Sequence, residues 1–460
     1  MGEYIYGRIP SIFPPRCAIL EKMKHTKGWR IMDERFSAYR ARAEEMDRWD
    51  PLKSFREQFH IPPETAYMDG NSLGLPPRAA GDALEKTFSE WRDLAIGGWL
   101  EGTPPWFHLA EEAGRKMAPL MGASPDEVVM SGSTTVNLHA LVSTFYKPSG
   151  TRTKIVADEL NFPSDIYALE SQIRLKGFDP KEHLVLVRSR DGRTLDEDDI
   201  IAAFDDRAAL ALLPGVLYRS GQLLDMERLV KEAHNRGILI GFDCAHSAGA
   251  VPHRLSDWDA DFAFWCSYKY LNGGPGSPAF LYVNRRHFDL EPGLAGWFGC
   301  DKSRQFDMDL EFSHARSAGG WQIGTPPVLS ASPLLPSLDI FARAGMERLR
   351  HKSLALTGFL AEIIEGALSS APYGYSSGTP REDSRRGGHL AVEHPEAWRI
   401  CQALKQRKII PDFRPPQVIR LAPVPLYNSF GDVLRVAEAL KEIVDGKEYE
   451  AFSPVRDAVS

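Results

Sequence analysis

Lys269 stands in the run DFAFWCSYKYLNGGPG (261–276), where an apolar segment carries it into a glycine-rich turn. Just upstream, GILIGFDCAH (237–246) is a second apolar segment that delivers Asp243 and, on the turn after it, His246. A strand that ends on a carboxylate beside a strand that ends on a lysine suits the chemistry of an aldehyde cofactor. The amine can hold the aldehyde as a Schiff base, and the carboxylate can keep a pyridinium nitrogen protonated so that the ring withdraws electrons. The pair suggests pyridoxal phosphate. Lysines are ordinarily solvated, yet WCSY on one side and YLNGGPG on the other make solvation of this one difficult, and burial without a task would be costly.

Two further stretches could complete such a site. VVMSGSTTVNLHAL (128–141) reads as strand, small-residue turn and helix start, where backbone N–H groups and the hydroxyls of Thr134 and Thr135 could cradle a phosphate. In ELNFPSDIYALESQ (159–172), Phe162 could stack on a flat heteroaromatic ring and Asp165 could reach its polar edge. Each stretch alone has an ordinary reading: a helix cap, a core phenylalanine, an aspartate in a turn. Their joint occurrence favours the cofactor.

The elements that must position these residues alternate along the chain. Apolar, β-branched runs at 127–130, 154–157, 183–188, 208–216, 238–243, 261–266 and 279–283 predict strands. Segments with apolar residues at spacings of three and four lie between them, as in 135–146 and 226–237, and predict helices. Such alternation implies an α/β fold with a mostly parallel sheet covered on both faces, whose ligands bind beyond the carboxyl ends of the strands. After about residue 335 the texture changes to long amphipathic helices and a short α+β segment. The expected division is therefore an N-terminal arm with helices over 1–60, a large α/β domain over 61–335 and a small α+β domain over 336–460. The Ser-, Pro-, Gly- and charge-rich stretch 369–388 reads as an exposed loop.

Composition narrows the class. Lys plus Arg number 55 against 62 Asp plus Glu, a net charge of −7 that argues against a nucleic-acid surface. Cys17, Cys244, Cys266, Cys300 and Cys401 are scattered, without the spacing of a metal site or a disulfide framework, so no metal is expected and a cytoplasmic setting is the default. The N-terminus is broken by prolines and reads poorly as a secretion signal, and no stretch approaches the roughly 20 apolar residues of a membrane span.

The chain resembles the kynureninases, fold-type I pyridoxal-phosphate enzymes, in their bacterial form. The resemblance rests on YMDGNSLGLPP (67–77), TTVNLH (134–139), NFPSD (161–165), GFDCAHSAG (241–249), DFAFWCSYKYLNGGPG (261–276), GWFG (296–299) and RLAPVPLYNSF (420–430). It implies PLP-dependent hydrolysis of L-kynurenine, or of its 3-hydroxy derivative, to the anthranilate and L-alanine, and a homodimer with shared active sites. It also implies roles: Thr134 and Thr135 on the phosphate, Phe162 on the ring, Asp243 on the pyridinium, Lys269 on the aldehyde, with Asp165, His246, Tyr268 and Thr325 in the cofactor shell. Trp297 would reach the phosphate of the partner subunit. Arg420 would grip the substrate α-carboxylate, Asn71 and Ser72 would line the entrance, and Tyr268 would be the acid that protonates the substrate β-carbon. A cysteine desulfurase would instead need a nucleophilic cysteine on a loop, for which only Cys300 is placed, and an aminotransferase would need a keto acid. A non-catalytic relative would have lost Lys269 or Asp243.

Three positions depart from the animal enzymes of the family. Pro214 stands where they have a phosphate-contacting serine, Thr325 where they have an asparagine near the ring hydroxyl, and Trp99 where they have a histidine in the aromatic pocket. The last two changes are those of bacterial enzymes acting on plain L-kynurenine. That preference is the expected outcome of steady-state assays, and a higher kcat/KM for 3-hydroxykynurenine would contradict it.

Overall fold

A computed structural model describes residues 27–455. The segment read as a poor secretion signal, and the first part of the expected arm, lie outside the described residues. From there the chain is helical in α1 (Lys27–Arg48), and α2 (Ala79–Leu94) follows.

All seven apolar runs form strands: β1 (Val128–Ser131), β2 (Lys154–Asp158), β3 (Leu184–Val187), β4 (Ala208–Pro214), β5 (Leu239–Asp243), β6 (Phe262–Trp265) and β7 (Ala279–Val283). They build one sheet in the order β1-β7-β6-β5-β4-β2-β3. Only β7 runs against its neighbours, and the other pairings are parallel. Successive side chains of a strand point to opposite faces, so a continuous apolar run is what a sheet covered on both sides requires. In β6, Ala263 and Trp265 enter one core while Phe262 and Phe264 enter the other, and β4 divides Ala211 and Leu213 from Leu210 and Leu212 in the same way.

The crossovers carry the helices α3 (Thr134–Phe145), α4 (Pro163–Leu175) and α5 (Met226–His234). Pro163 opens α4, where its missing N–H costs nothing, and Asp225 caps α5 by accepting from Arg228 N at 3.0 Å. Helix α6 (Leu334–Ala344) stops at Gly345, whose φ of 77° suits only glycine, and α7 (Met346–Ile363) restarts at once.

A third core joins α1, α7 and α8 (Phe430–Asp445) to a four-stranded sheet of β8 (Ser376–Ser377), β9 (Leu390–Glu393), β10 (Asp412–Arg414) and β11 (Val418–Leu421), ordered β10-β11-β9-β8 and antiparallel. Ion pairs tie it to the rest. Arg193 forks onto Glu393 at 2.8 and 2.6 Å, and Lys352 of α7 meets Asp50 at 2.7 Å with both side chains buried.

The stretch 369–388 corrects an expectation. It is polar in composition but not a free loop, because Tyr373, Tyr375, Thr379 and Arg386 are buried. Each of the last three finds a partner: Tyr375 donates to Leu440 O at 3.1 Å, Thr379 Oγ1 accepts from Ala391 N at 2.8 Å, and Arg386 Nε donates to Thr357 Oγ1 at 3.1 Å. Polar residues can be buried when paired, which composition does not reveal.

Gly241, in the middle of β5, faces the Phe262 ring so closely that a β-carbon would overlap it. Gly241→Ala is expected to cost about 1–3 kcal/mol of stability by denaturant unfolding, with part recovered by adding Phe262→Leu. An unchanged unfolding midpoint in the single variant would show that the two strands can part freely.

Candidate active site

The carboxyl ends of β1, β2, β5 and β6 open onto a cavity of about 440 Å³. At one end lies the amino terminus of α3. Its cap, Ser133, makes no side-chain capping bond, so the hydroxyls of Ser133, Thr134 and Thr135 and the first-turn N–H groups are left facing the cavity. A helix start with free donors is an anion site by charge and geometry.

Along one wall stands Phe162, 41% exposed, with its ring edge-to-face with Tyr218 at 5.2 Å. An aromatic so open on the wall of a cavity has a face free for stacking. Beneath it the carboxyls of Asp165 and Asp243 are buried side by side, and Asp243 Oδ1 accepts from Ala245 N at 2.7 Å. Burial raises both above the usual carboxylate range. Asp243's charge pushes Asp165 further up, whereas the Lys269 ammonium and the Asp165 hydrogen bond pull Asp243 back down. Of the pair, Asp165 is pushed further up and keeps its proton more readily than Asp243.

Lys269 is half-buried rather than enclosed, because its amine opens into the cavity. Its Nζ lies 3.0 Å from His246 Nε2 and 5.9 Å from the centroids of both Phe162 and Tyr268. Burial and the neighbouring lysine charge hold His246 well below the ordinary imidazole range, so it is neutral and can accept from the ammonium. Tyr268 lines the same cavity, and burial raises its phenol, which keeps its proton at neutral pH.

The far end is cationic. Arg420, on β11, is 1% exposed: its Nε and Nη2 both lie 2.5 Å from Asp412 Oδ2, Nη1 donates to Tyr218 O at 2.7 Å and Nη2 to Ser72 Oγ at 2.9 Å. Asn71 is fully buried beside it. Asp69 is pushed up to about 6 by burial and by Asp412.

Of the expected residues, Thr134, Thr135, Phe162, Asp165, Asp243, His246, Tyr268, Lys269, Arg420, Asn71 and Ser72 share this cavity. Trp99, Thr325 and Trp297 do not. Trp99 and Thr325 line a separate apolar recess with Trp91, Trp106 and Pro326, and Trp297 is 43% exposed against Phe306. No cysteine lines the cavity among the described residues. Arg414 and Ser133 also face the cavity and were not expected there. The signal for Arg414 is the hairpin DFRPPQVIR: two residues after Asp412, it falls on the face where Asp412 pairs in register with Arg420.

The residues present fit pyridoxal phosphate. His246 Nδ1, Asp165 Oδ2 and the Asn71 amide are buried polar atoms without a partner in the protein, all on groups that line the cavity, and an anion cradle, an open aromatic face, a buried carboxylate and an amine surround them.

Comparison with known proteins agrees. Residues 349–440 match the model of the kynureninase C-terminal domain. The chain is 56% identical to the kynureninase of Geobacillus thermodenitrificans over 91% of its own length and 97% of that protein's, and 55% identical to that of Bacillus anthracis over 90% and 97%. This chain belongs to the kynureninase family. Among solved structures, a cysteine desulfurase of Thermococcus onnurineus superposes with a TM-score of 0.72 at 20% identity, covering 86% of this chain and 98% of that one. C-DES, solved with glycine linked to its PLP cofactor, does so with 0.72 at 15%, covering 84% and 98%. These likenesses are of fold: the α/β fold-type I architecture that the alternating elements and the family resemblance imply.

Asp158, at the end of β2, is pushed up to about 7 by burial, offset in part by the Leu160 N–H and reinforced by the charges of Glu159 and Asp243. Folded protein thus keeps a proton that the unfolded chain gives up near its ordinary value of about 4, so the stability this group contributes at low pH is lost as pH rises to about 7. In the apoprotein, Asp158→Asn should flatten the fall in stability between those limits; a pH profile parallel to the parent's would refute the assignment.

Proposed function

We propose that the protein hydrolyses L-kynurenine to anthranilate and L-alanine with pyridoxal phosphate as cofactor, a step of tryptophan breakdown. The observation that carries this reading is the single cavity that places Lys269, Asp243, Phe162 and the α3 terminus opposite an arginine end. Thr134, Thr135 and the α3 N–H groups would hold the phosphate, Phe162 the ring face, and Asp243 the pyridinium, with Asp165 donating to Asp243. Bound there, the cofactor supplies an electron sink for the carbon that loses its proton.

The chain's own groups do the rest. Lys269 Nζ takes the substrate Cα proton, with neutral His246 accepting a hydrogen bond from the ammonium that results. Arg420 orients the α-carboxylate, and charge-assisted bonds of this kind are the strong ones. Water adds to the γ-carbonyl of the substrate. Tyr268, still protonated at neutral pH, donates to Cβ as the Cβ–Cγ bond breaks.

The positions of Trp99, Thr325 and Trp297 support a homodimer with shared sites. Outside the cavity of their own chain, Trp99 and Thr325 share their recess with exposed Trp91, which packs against exposed Phe88, and Trp297 packs against exposed Phe306, leaving apolar surface open on a lone subunit. A second copy covering it would bring these residues toward its own cavity. Among the described residues no helix is long and apolar enough to cross a membrane, and we place the enzyme in the cytoplasm.

The purified protein should sediment as a dimer at equilibrium and should convert L-kynurenine to equal amounts of anthranilate and alanine without a keto acid. Lys269→Ala should lower kcat by at least about 1,000-fold while still binding cofactor without a covalent link. Absence of both anthranilate from L-kynurenine and 3-hydroxyanthranilate from 3-hydroxykynurenine would overturn the reading.

A further inference from the structure

Arg420 is less available than its place in the cavity suggests. A guanidinium has five N–H donors in a fixed fork. Asp412 Oδ2 accepts from Nε and also lies 2.5 Å from Nη2, crowding one of its N–H groups; the Tyr218 carbonyl takes one donor from Nη1, and Ser72 takes one from Nη2. One N–H of Nη1 remains for a ligand. A carboxylate held by that donor alone would be held by a single hydrogen bond, short of the two parallel bonds that guanidinium–carboxylate recognition provides.

Arg414 supplies what is missing. It lines the same cavity, its side chain is 27% exposed, and among the described residues its terminal nitrogens donate to no acceptor. Its Nε lies 3.1 Å from Asp412 Oδ2, the oxygen that also meets Arg420, but is not aligned to donate to it. Two guanidiniums touching one carboxylate oxygen cannot be farther apart than those two contacts laid end to end. Asp412 thus anchors both cations at one end of the cavity while neutralising only one of them. The remaining positive charge faces the ligand space, and Asp69 is the other carboxyl in the cluster.

We infer that Arg414 is a second binding residue for the substrate α-carboxylate, shared with Arg420, and that Asp412 is the positioning residue that sets the two guanidiniums side by side. Arg420 acts as the rigid member, locked by protein acceptors. Arg414 is the member with free donors, and it makes the site selective for an α-carboxylate over an uncharged α-substituent. The inference rests on the assignment of the α-carboxylate to the Arg420 end of the cavity.

The test uses the cofactor-loaded protein titrated with L-alanine and with L-alaninamide, whose α-substituent is neutral, following the visible absorption of the cofactor. Arg414→Gln should raise the Kd for L-alanine roughly 10-fold or more, the scale of hydrogen bonds to a charged group, and leave the Kd for L-alaninamide within about twofold. Arg414→Lys, with the charge but not the fork, should fall between. In turnover, Arg414→Gln should raise KM for L-kynurenine more than it lowers kcat. Equal loss on both ligands, as a merely structural role would give, or no loss on either, overturns the inference. Arg420→Lys, measured alongside, separates the two assignments. Carboxylate-selective loss there but not in Arg414→Gln removes only Arg414, and the reverse removes Arg420's role.

Discussion

A sheet buried on both faces leaves polar chemistry only one place to go. With apolar residues on each side of every central strand, charged and hydrogen-bonding groups can emerge only at strand ends, where a turn breaks the alternation. In this protein Asp158, Asp243 and the turn that carries Lys269 all leave the sheet at its carboxyl edge. The site follows from that constraint. Close packing between β5 and β6, with Gly241 giving its space to Phe262, brings the aspartate and the lysine strands together.

The cavity that results is electrically divided. The buried carboxyls of Asp165 and Asp243 line it near the lysine, Asp158 adds a third buried carboxyl at the end of β2, and desolvation raises all three. Arg414 and Arg420 hold the opposite end. The proposed binding mode uses this division, with the carboxylate of an amino acid toward the guanidiniums and its amine toward Lys269.

Much of the fold could be read from the chain because the strand signal is local: an apolar run of the right length between helical segments. Lys269, Asp243 and Phe162 could be found as candidates, with their cofactor chemistry, because each stands at the end of such a run, while the substrate rests mainly on the family resemblance. Arg414 and Asp412 could not, since their meaning comes from the register of a hairpin whose turn, PPQ, says little about pairing. The burial of 369–388 was hidden for a related reason: its partners, Leu440, Ala391 and Thr357, belong to other elements. Trp99, Thr325 and Trp297 could be recognised by likeness to the family, but a single chain does not bring them to its own cavity.

Arg420 belongs to the small antiparallel sheet, yet one of its bonds reaches the carbonyl of Tyr218, in the segment that follows β4. The guanidinium proposed to hold the substrate carboxylate is therefore tied across a seam between two separately packed interiors. How α1, α7 and α8 fill their own core decides where that guanidinium stands relative to the lysine. Ligand preference in such a protein is open to drift through repacking that touches no ligand atom, and a lineage could retune what it accepts while every residue around the cavity stays the same.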